Sequence, residues 1–264
     1  MKKTQTILDE IFAYTKAQLE LRKQSIPFSV LEKKITKNGI RDFKKALENK
    51  NRISLIAEIK KKSPSQGLIR DDFDVKKIAK IYEKAKVDAV SVLTEPKYFG
   101  GKLEYLSVVK DNSSIPVFRK DFIFDPYQIY EARVYGADAF LLIASILTKK
   151  ELLDLMKIGK NLGMQYLVEV HTKDEMNLAL EVDADIIGVN NRNLHTFKED
   201  LSTFEKLAPF APKDKILVAE SAIKNVVDVK RVRDAGANAV LVGTSIMKSK
   251  DISGKINELK GVKL

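Results

Sequence analysis

The sequence predicts an α/β fold, namely a single (β/α)8 TIM barrel with an N-terminal helical extension. Its 264 residues are close to the usual size of one such barrel. Eight short runs rich in Val, Ile and Leu recur along the chain, and segments of helical periodicity separate them. Alternation of strands and helices without a low-complexity linker is typical of one closed parallel barrel. We therefore expect one domain over residues 1–264.

The apolar runs are expected to be buried parallel strands, because each is short and bounded by Gly, Asp or Pro. They are Ile53–Ile59, Ala89–Leu93, Ile115–Phe118, Ala139–Ile143, Tyr166–Val170, Ile186–Val189, Ile216–Ala219 and Ala239–Val242. Amphipathic helices are expected between them, among them Val75–Lys86, Pro126–Tyr135, Lys149–Leu162, Lys173–Glu181 and Val226–Ala235. A glycine follows three of these helices, at Gly136, Gly163 and Gly236, where the residue after a helix favours glycine.

Residues 1–52 form an extension that a plain barrel does not need. We expect two helices there, near Thr4–Lys23 and Asp42–Asn49, joined by an irregular stretch. These helices could close the bottom of the barrel or border the active site, and the sequence leaves both alternatives open.

The composition excludes several classes of function. The chain has no cysteine, so disulfides, thiolate metal sites and a catalytic thiol are excluded. His171 and His195 lack a metal-ligand partner at useful spacing, so we expect no metal site and interpret both as loop residues. The N-terminus carries acids and amides within its apolar pattern, unlike a signal peptide, and no apolar run is long enough to span a membrane. We expect a cytoplasmic protein without a membrane partner.

The net charge of +11 has two interpretations. It could serve nucleic-acid binding, or it could reflect a lysine-rich solvated surface. The lysines are scattered, and no basic block alternates with aromatic residues as a nucleic-acid surface would require. We therefore favour the solvated surface and expect no nucleic-acid partner, although the field would still attract a small anionic substrate.

The first predicted strand ends with an acid and a base on one face. Side chains alternate along a strand, so Glu58 and Lys60 share a side and Ile59 takes the other. The alternation points the charged pair toward the barrel axis, near the end where the active sites of such barrels lie. A buried acid and base perturb each other's proton affinity, which suits acid–base catalysis. A structural ion pair is the alternative.

Polar residues also follow the other predicted strands. They are Arg119, Lys120 and Asp121 after the third, Glu169 and His171 after the fifth, Asn190, Asn191 and Arg192 after the sixth, and Glu220 and Ser221 after the seventh. Their shared position predicts one cavity that holds lysines, carboxylates, an amide, a guanidinium and a hydroxyl. Gly243-Thr244-Ser245 after the eighth strand, with loops at Ser221–Ile223 and Ser63–Ser65, could bind a phosphate through backbone N–H groups.

Eight segments of the chain resemble, in order, the motifs of the indole-3-glycerol-phosphate synthase family. They are IAEIKKKSPSQG (Ile56–Gly67), SVLTEPKYFGG (Ser91–Gly101), FRKDF (Phe118–Phe122), GADAFLLIASIL (Gly136–Leu147), LVEVH (Leu167–His171), GVNNRNL (Gly188–Leu194), AESAI (Ala219–Ile223) and LVGTSIM (Leu241–Met247). The resemblance implies a carboxy-lyase of tryptophan biosynthesis that acts on 1-(2-carboxyphenylamino)-1-deoxyribulose 5-phosphate. In that reaction the aromatic carbon bearing the carboxylate attacks the ribulose carbonyl, and carbon dioxide and then water leave.

The resemblance also implies catalytic roles for six residues. Lys120 resembles the general acid that protonates the carbonyl oxygen during ring closure. Glu169 and Lys60 resemble the acid–base pair of the dehydration, and which of the two is the acid stays open. Glu58 is expected to orient Lys60 and to bind a substrate hydroxyl. Asn190 and Ser221 resemble the polar positions that hold the ribulose chain.

Further positions are implied to bind the substrate. The phosphate is expected at Ser63, Gly243 and Thr244, and the aromatic ring is expected in an apolar slot formed by Pro64, Phe99, Phe122 and Leu141. Arg192 would pair with the anthranilate carboxylate, which matches a guanidinium fork. Ala222 stands where the family usually has Gly, and its methyl group would crowd the phosphate or disfavour a positive φ.

The resemblance implies no metal or organic cofactor, because the substrate's own ring and carbonyl carry the electron movement. Its small phosphorylated substrate is the expected partner, with no fused second enzyme, and the protein is expected to be a monomer or weak homodimer. Three alternatives remain: an aldolase-like Schiff-base enzyme with Lys60 or Lys120 as nucleophile, a phosphoribosylanthranilate isomerase, and a nucleic-acid-binding protein.

Overall fold

The computed structural model describes residues 7–35, 39–49, 52–193 and 196–261, and eight of its strands form a closed parallel barrel. In chain order they are β1 (Ser54–Ile59), β2 (Ala89–Leu93), β3 (Val117–Lys120), β4 (Ala139–Ile143), β5 (Gln165–Val170), β6 (Ile186–Asn190), β7 (Ile216–Glu220) and β8 (Ala239–Val242). Each strand pairs with the next, and β8 closes on β1 with Ala239 opposite Ser54. The predicted (β/α)8 barrel is therefore confirmed.

The helices surround the barrel and precede it. They are α1 (Ile7–Ser25), α2 (Phe28–Lys34), α3 (Phe43–Leu47), α4 (Val75–Lys84), α5 (Pro96–Phe99), α6 (Glu104–Asn112), α7 (Pro126–Val134), α8 (Lys149–Asn161), α9 (Lys173–Glu181), α10 (Ser202–Leu207), α11 (Val226–Asp234), α12 (Thr244–Lys248) and α13 (Ile252–Lys260). A small hairpin pairs Lys62–Ser63 with Gly67–Leu68, and a 3-10 turn covers Ala208–Phe210. Among these helices, none is both long enough and apolar enough throughout to cross a lipid bilayer.

One predicted strand is displaced along the chain. We expected Ile115–Phe118, whereas the third strand runs from Val117 to Lys120. Pro116 has no N–H to donate to a sheet, and the Ile115 N–H bonds to the Ser113 hydroxyl instead. The shift matters for the site, because it makes Lys120 the last residue of a strand rather than a loop residue.

The extension both closes the bottom of the barrel and borders its mouth. At the bottom, the Phe43 ring of α3 stacks on Phe118 with centroids 5.2 Å apart. The Ser54 hydroxyl at the start of β1 donates to the Leu47 carbonyl at 3.1 Å. At the mouth, Leu8 and Ile11 of α1 line the cavity described below. Both alternatives left open by the sequence are therefore present: α3 closes the bottom of the barrel, and α1 borders its mouth.

The expected irregular stretch between those helices is wrong in part, because it contains α2. This helix is only 7 residues long, and Leu31 is its one buried residue, so it carries no detectable apolar period. The expected start of the first helix at Thr4 lies outside the described residues, and the described helix continues to Ser25.

Ion pairs attach α1 to α7 beside the barrel. Arg22 Nε lies 2.7 Å from Glu131 Oε1, and Lys23 Nζ lies 2.7 Å from Asp125 Oδ2. Glu131 also faces Arg119, which is fully buried behind the C-terminal end of β3. The position of α1 is thus coupled through charged groups to the strand that carries Lys120.

We predict that Phe43→Ala lowers the free energy of unfolding by about 3–5 kcal/mol, because it empties a fully buried ring position. Urea denaturation measures the change. Phe210→Ala is the matched control, since the Phe210 side chain is 43% exposed and its loss should cost about 1 kcal/mol or less. Equal losses in the two variants would contradict the role given to α3 at the barrel bottom.

Candidate active site

A cavity of about 400 Å³ opens at the C-terminal ends of the strands. The strands point their last side chains into it, as expected for this architecture. Every residue given a catalytic or substrate-binding role lines it, namely Glu58, Lys60, Ser63, Pro64, Phe99, Lys120, Phe122, Leu141, Glu169, Asn190, Arg192, Ser221, Ala222, Gly243 and Thr244. Arg119, Asn191 and His171 also follow the predicted strands but are not among the lining residues, so the prediction that they share this cavity is wrong. The side chains gathered from separate loops thus share one space of the size that small-molecule sites have.

Glu58 on the inner face of β1 and Lys60, directly after β1, form a short ion pair. Lys60 Nζ lies 2.6 Å from Glu58 Oε1, and the Glu58 side chain is 3% exposed. The strand alternation predicted this orientation. A Cβ atom at Gly243 would lie 2.3 Å from Glu58 Oε1, so the glycine directly after the neighbouring strand β8 leaves the space that the carboxylate fills.

Lys120 lies between two buried carboxylates. Its Nζ donates to Glu169 Oε2 at 2.9 Å and to Glu220 Oε2 at 2.8 Å. Burial alone would lower the pKa of Lys120, but the negative charges of Glu169, Glu220 and Glu58 outweigh burial and raise it well above its usual value. Lys120 is therefore held as an ammonium group with hydrogen-bonding capacity toward the cavity.

The two carboxylates that share this ammonium differ in proton affinity. Burial would raise the pKa of Glu169, but Lys120, His171 and a hydrogen bond from Asn190 lower it to about 2. Burial and the neighbouring Glu169 raise the pKa of Glu220 to about 7, although Lys120 opposes this shift. One cation between two acids favours one ionised and one protonated carboxyl group, and Glu169 is the ionised one.

Glu220 is the polar residue whose importance sequence reasoning missed. It was recognised at a strand end but received no role. Register places it opposite Asn190 of β6, so both point into the barrel. Its Oε1 has no hydrogen-bond partner within the described parts of the chain, and a Cβ at Gly188 would lie 2.1 Å from that atom. The signal that could have found it is the pairing of Glu220 with Asn190 across neighbouring strands.

An apolar wall stands beside the charged groups. The rings of Phe99 and Phe122 lie 6.2 Å apart at their centroids, and Leu141 lines the same cavity. Leu8 and Ile11 of α1 add to this wall. Sequence reasoning left the contribution of α1 open, because helical periodicity shows which residues are buried but not against what.

An unpaired hydroxyl group lies at the end of the cavity where the loop sequences predict phosphate binding. Ser63 Oγ is buried without a hydrogen-bond partner among the residues described. Ser221 and Ala222 have φ values of 62° and 63°, in the left-handed region. The positive φ that we expected the methyl group of Ala222 to disfavour is present, and a non-glycine residue in this region is strained. Crowding of the phosphate by this methyl group stays a prediction.

Arg192 lines the cavity but its guanidinium already has partners. One terminal nitrogen donates to Ser65 Oγ at 2.5 Å, and the other pairs with Glu199. A substrate carboxylate would have to compete with Glu199 for this guanidinium.

His171 lies in the loop between β5 and α9, as expected, but its contacts show that it is not a simple loop residue. Its side chain is only 10% exposed, and its Nε2 lies 3.4 Å from Glu169 Oε1. The sequence places His171 one residue beyond a strand end, where loops usually begin, so its burial was not visible there. His195 lies outside the described residues.

We predict that Glu220 makes the free energy of unfolding depend on pH. Its pKa is about 7 in the folded protein against 4.5 as the ordinary value, so the folded state holds a proton that the unfolded state has lost between these pH values. Stability from this group is therefore present at low pH and is lost as pH rises through about 7. In urea titrations from pH 5 to 8, the free energy of unfolding should decrease with pH in the unchanged protein, and Glu220→Gln should remove this decrease. An identical pH dependence in the variant would contradict the assignment.

The comparisons with known proteins identify the family of the chain. The family model described as Indole-3-glycerol phosphate synthase matches residues 8–259. An indole-3-glycerol phosphate synthase of Alkaliphilus metalliredigens is 47% identical over 255 residues, which cover 96% of this chain and 98% of that protein. One from Campylobacter fetus is 48% identical over 256 residues, which cover 97% of this chain and 99% of that protein.

Solved structures of lower identity support the fold alone. A 3-hexulose-6-phosphate synthase from Salmonella typhimurium superposes with a TM-score of 0.65 at 15% identity, covering 79% of this chain and 97% of that one. The match of the family model over nearly the whole chain, and relatives at nearly half identity, are decisive. The chain belongs to the indole-3-glycerol phosphate synthase family.

Proposed function

We propose that this cavity converts 1-(2-carboxyphenylamino)-1-deoxyribulose 5-phosphate into indole-3-glycerol phosphate, carbon dioxide and water. The observation that carries the proposal is the Lys120 ammonium, held 2.9 Å and 2.8 Å from two buried carboxylates beside an apolar wall. The reaction needs a proton donor at a carbonyl oxygen, a dry slot for an aromatic ring and an anion site for the phosphate. The cavity has candidates for all three.

For the ring-closure step, we assign Lys120 as the general acid. The aromatic carbon that bears the carboxylate attacks the ribulose carbonyl carbon, and the carbonyl oxygen takes the proton from Lys120 as its negative charge develops. Loss of carbon dioxide then restores the aromatic ring. Because Lys120 is buried, its charge is poorly screened by water and acts strongly on the developing oxyanion.

For the dehydration step, we assign Glu169 as the base and Lys60 as the acid. Glu169 enters the cycle ionised, with its pKa lowered to about 2, so it can accept a proton but has none to give. Lys60 can protonate the departing hydroxyl, and Glu58 at 2.6 Å orients its ammonium. Protonated Glu220 can donate a hydrogen bond to a substrate oxygen. Asn190 and Ser221 are assigned to the ribulose hydroxyls.

Substrate binding uses the two ends of the cavity. The phosphate is assigned to Ser63 and to the backbone N–H groups of Ala222, Gly243 and Thr244. Ala222 lies in the loop after β7, and Gly243 and Thr244 lie at the start of α12. The aromatic ring is assigned to the slot formed by Pro64, Phe99, Phe122 and Leu141. Its carboxylate can bind Arg192 by displacing Glu199. We further propose that the enzyme works in the cytoplasm as a monomer or weak homodimer.

The state of Lys120 argues against a Schiff-base mechanism at this residue. A nucleophilic lysine must be a neutral amine, and enzymes obtain one by lowering its pKa. Here the neighbouring carboxylates raise the pKa of Lys120 instead. The carboxylates therefore keep Lys120 protonated, as a general acid must be before it transfers its proton, and this protonated state disfavours covalent attack.

The direct test is to incubate the purified protein with the synthetic ribulotide and to follow the fluorescence of the indole product. We expect indole fluorescence to appear with release of one equivalent of carbon dioxide. Absence of both products under conditions where the protein is folded would refute the proposed function.

We predict that Lys120→Met lowers kcat by about 100-fold or more while KM changes little, because general acid catalysis contributes of this order and acts in the transition state. Steady-state kinetics with the ribulotide measure both constants. Lys150→Ala is the control, because Lys150 is an exposed lysine of α8 that is not among the residues lining the cavity. A near-normal kcat for Lys120→Met would remove Lys120 from the general-acid role.

A further inference from the structure

A second charged group contacts Glu169 from outside the cavity. His171 does not line the cavity, yet its Nε2 lies 3.4 Å from Glu169 Oε1. The other carboxylate oxygen of Glu169 accepts the hydrogen bond from Lys120. Glu169 therefore accepts a hydrogen bond from an ammonium on the side of the substrate space, and an imidazole nitrogen lies behind it at ion-pair distance, without a hydrogen bond among the described residues.

The imidazole is itself fixed by a third residue. Glu175 Oε2 lies 3.2 Å from His171 Nδ1 and accepts the backbone N–H of His171 at 2.7 Å. Glu175 is in the first turn of α9, where the helix dipole favours a negative charge. Its carboxylate thus orients the ring so that Nδ1 faces Glu175 and Nε2 faces Glu169.

This arrangement favours a doubly protonated ring. With a proton only on Nδ1, the Nε2 lone pair would face a carboxylate, which is repulsive. With protons on both nitrogens, each nitrogen faces an anion. Burial would lower the pKa of His171, but the hydrogen bond to Glu175 and the charges of Glu169, Glu175 and Glu220 raise it.

We propose that His171 is a positioning residue of the lyase reaction, which as an imidazolium ion fixes both the orientation and the negative charge of Glu169. The proposal rests on the proposed function, in which Glu169 is the base of the dehydration. His171 is not among the residues that line the cavity, and we assign it an action only through Glu169.

The His171 imidazolium would affect the proton transfer from Lys120 during ring closure. During ring closure, Glu169 at 2.9 Å competes with the carbonyl oxygen for the proton of Lys120. The imidazolium makes Glu169 a weaker competitor, so the proton passes to the carbonyl oxygen, which becomes a hydroxyl while Lys120 becomes an amine. Glu169 then loses its cation on the cavity side, and His171 still holds the carboxylate in place for the next step.

The charge state of His171 is measurable without any activity. The chain has two histidines, so His171→Gln identifies the His171 ring signals in an NMR titration. We expect His171 to titrate above the ordinary value of 6.5, and Glu169→Gln to move this midpoint down by about one pH unit, because it removes one of the two facing anions. A midpoint below 6.5, or one that Glu169→Gln leaves unchanged, would overturn the proposal.

The kinetic test compares His171→Gln with the unchanged protein across pH. Below the His171 midpoint we expect kcat of the variant to be lower by about ten-fold, the change that one pKa unit of Glu169 represents, with KM within about two-fold. As pH rises through that midpoint the imidazolium is lost, so the ratio of the two kcat values should approach one. Glu175→Gln should shift this convergence to lower pH.

Asp174→Asn is the matched control for Glu175→Gln, since Asp174 is an exposed acid in the same first turn of α9. It should leave kcat and its pH dependence unchanged. A kcat ratio that is independent of pH, or equal to one at every pH, would overturn the proposal in favour of a purely structural histidine. If the unchanged protein forms no indole product, the proposed function fails, whereas the NMR titration still tests the interaction between His171 and Glu169.

Discussion

The ammonium of Lys120 between Glu169 and Glu220 is the interaction on which the site depends. Two buried carboxylates from different strands would repel each other without a cation, and a buried ammonium would lose its proton without anions. Each group therefore owes its charge state to the others. The barrel supplies what such a cluster needs, because its strands are rigid and bring the ends of β3, β5 and β7 to one place.

The same constraint explains two glycines that have no side chain to contribute. Gly188 on β6 leaves space for Glu220, and Gly243 after β8 leaves space for Glu58. A methyl group at either position would lie within 2.3 Å of a carboxylate oxygen. The absence of a side chain at these two positions thus leaves room for the carboxylates of Glu220 and Glu58 in the barrel mouth. The conformation of the charged groups is therefore determined by packing as well as by charge.

Much of this was accessible from the sequence, because strand periodicity is a strong local signal. Alternation around Ile59 correctly predicted that Glu58 and Lys60 point to the same side of the strand. The positions of Lys120 and Glu169 at strand ends correctly predicted that they lie in one cavity. What was missed depends on contacts between distant segments. The role of Glu220 follows from its register with Asn190 and its contact with Lys120, and the burial of His171 follows from the position of α9. Helix α2 escaped notice because a helix with one buried residue has no period to detect.

The charge of Lys120 is the claim most directly open to measurement. In protein labelled with ¹³C at lysine Cε, the Lys120 signal can be identified by its absence in Lys120→Met and followed as pH rises. We expect Lys120 to keep the chemical shift of an ammonium group at pH values where exposed lysines have lost their protons, because Glu169 and Glu220 raise its pKa. Titration of Lys120 together with the exposed lysines, or below them, would contradict the account.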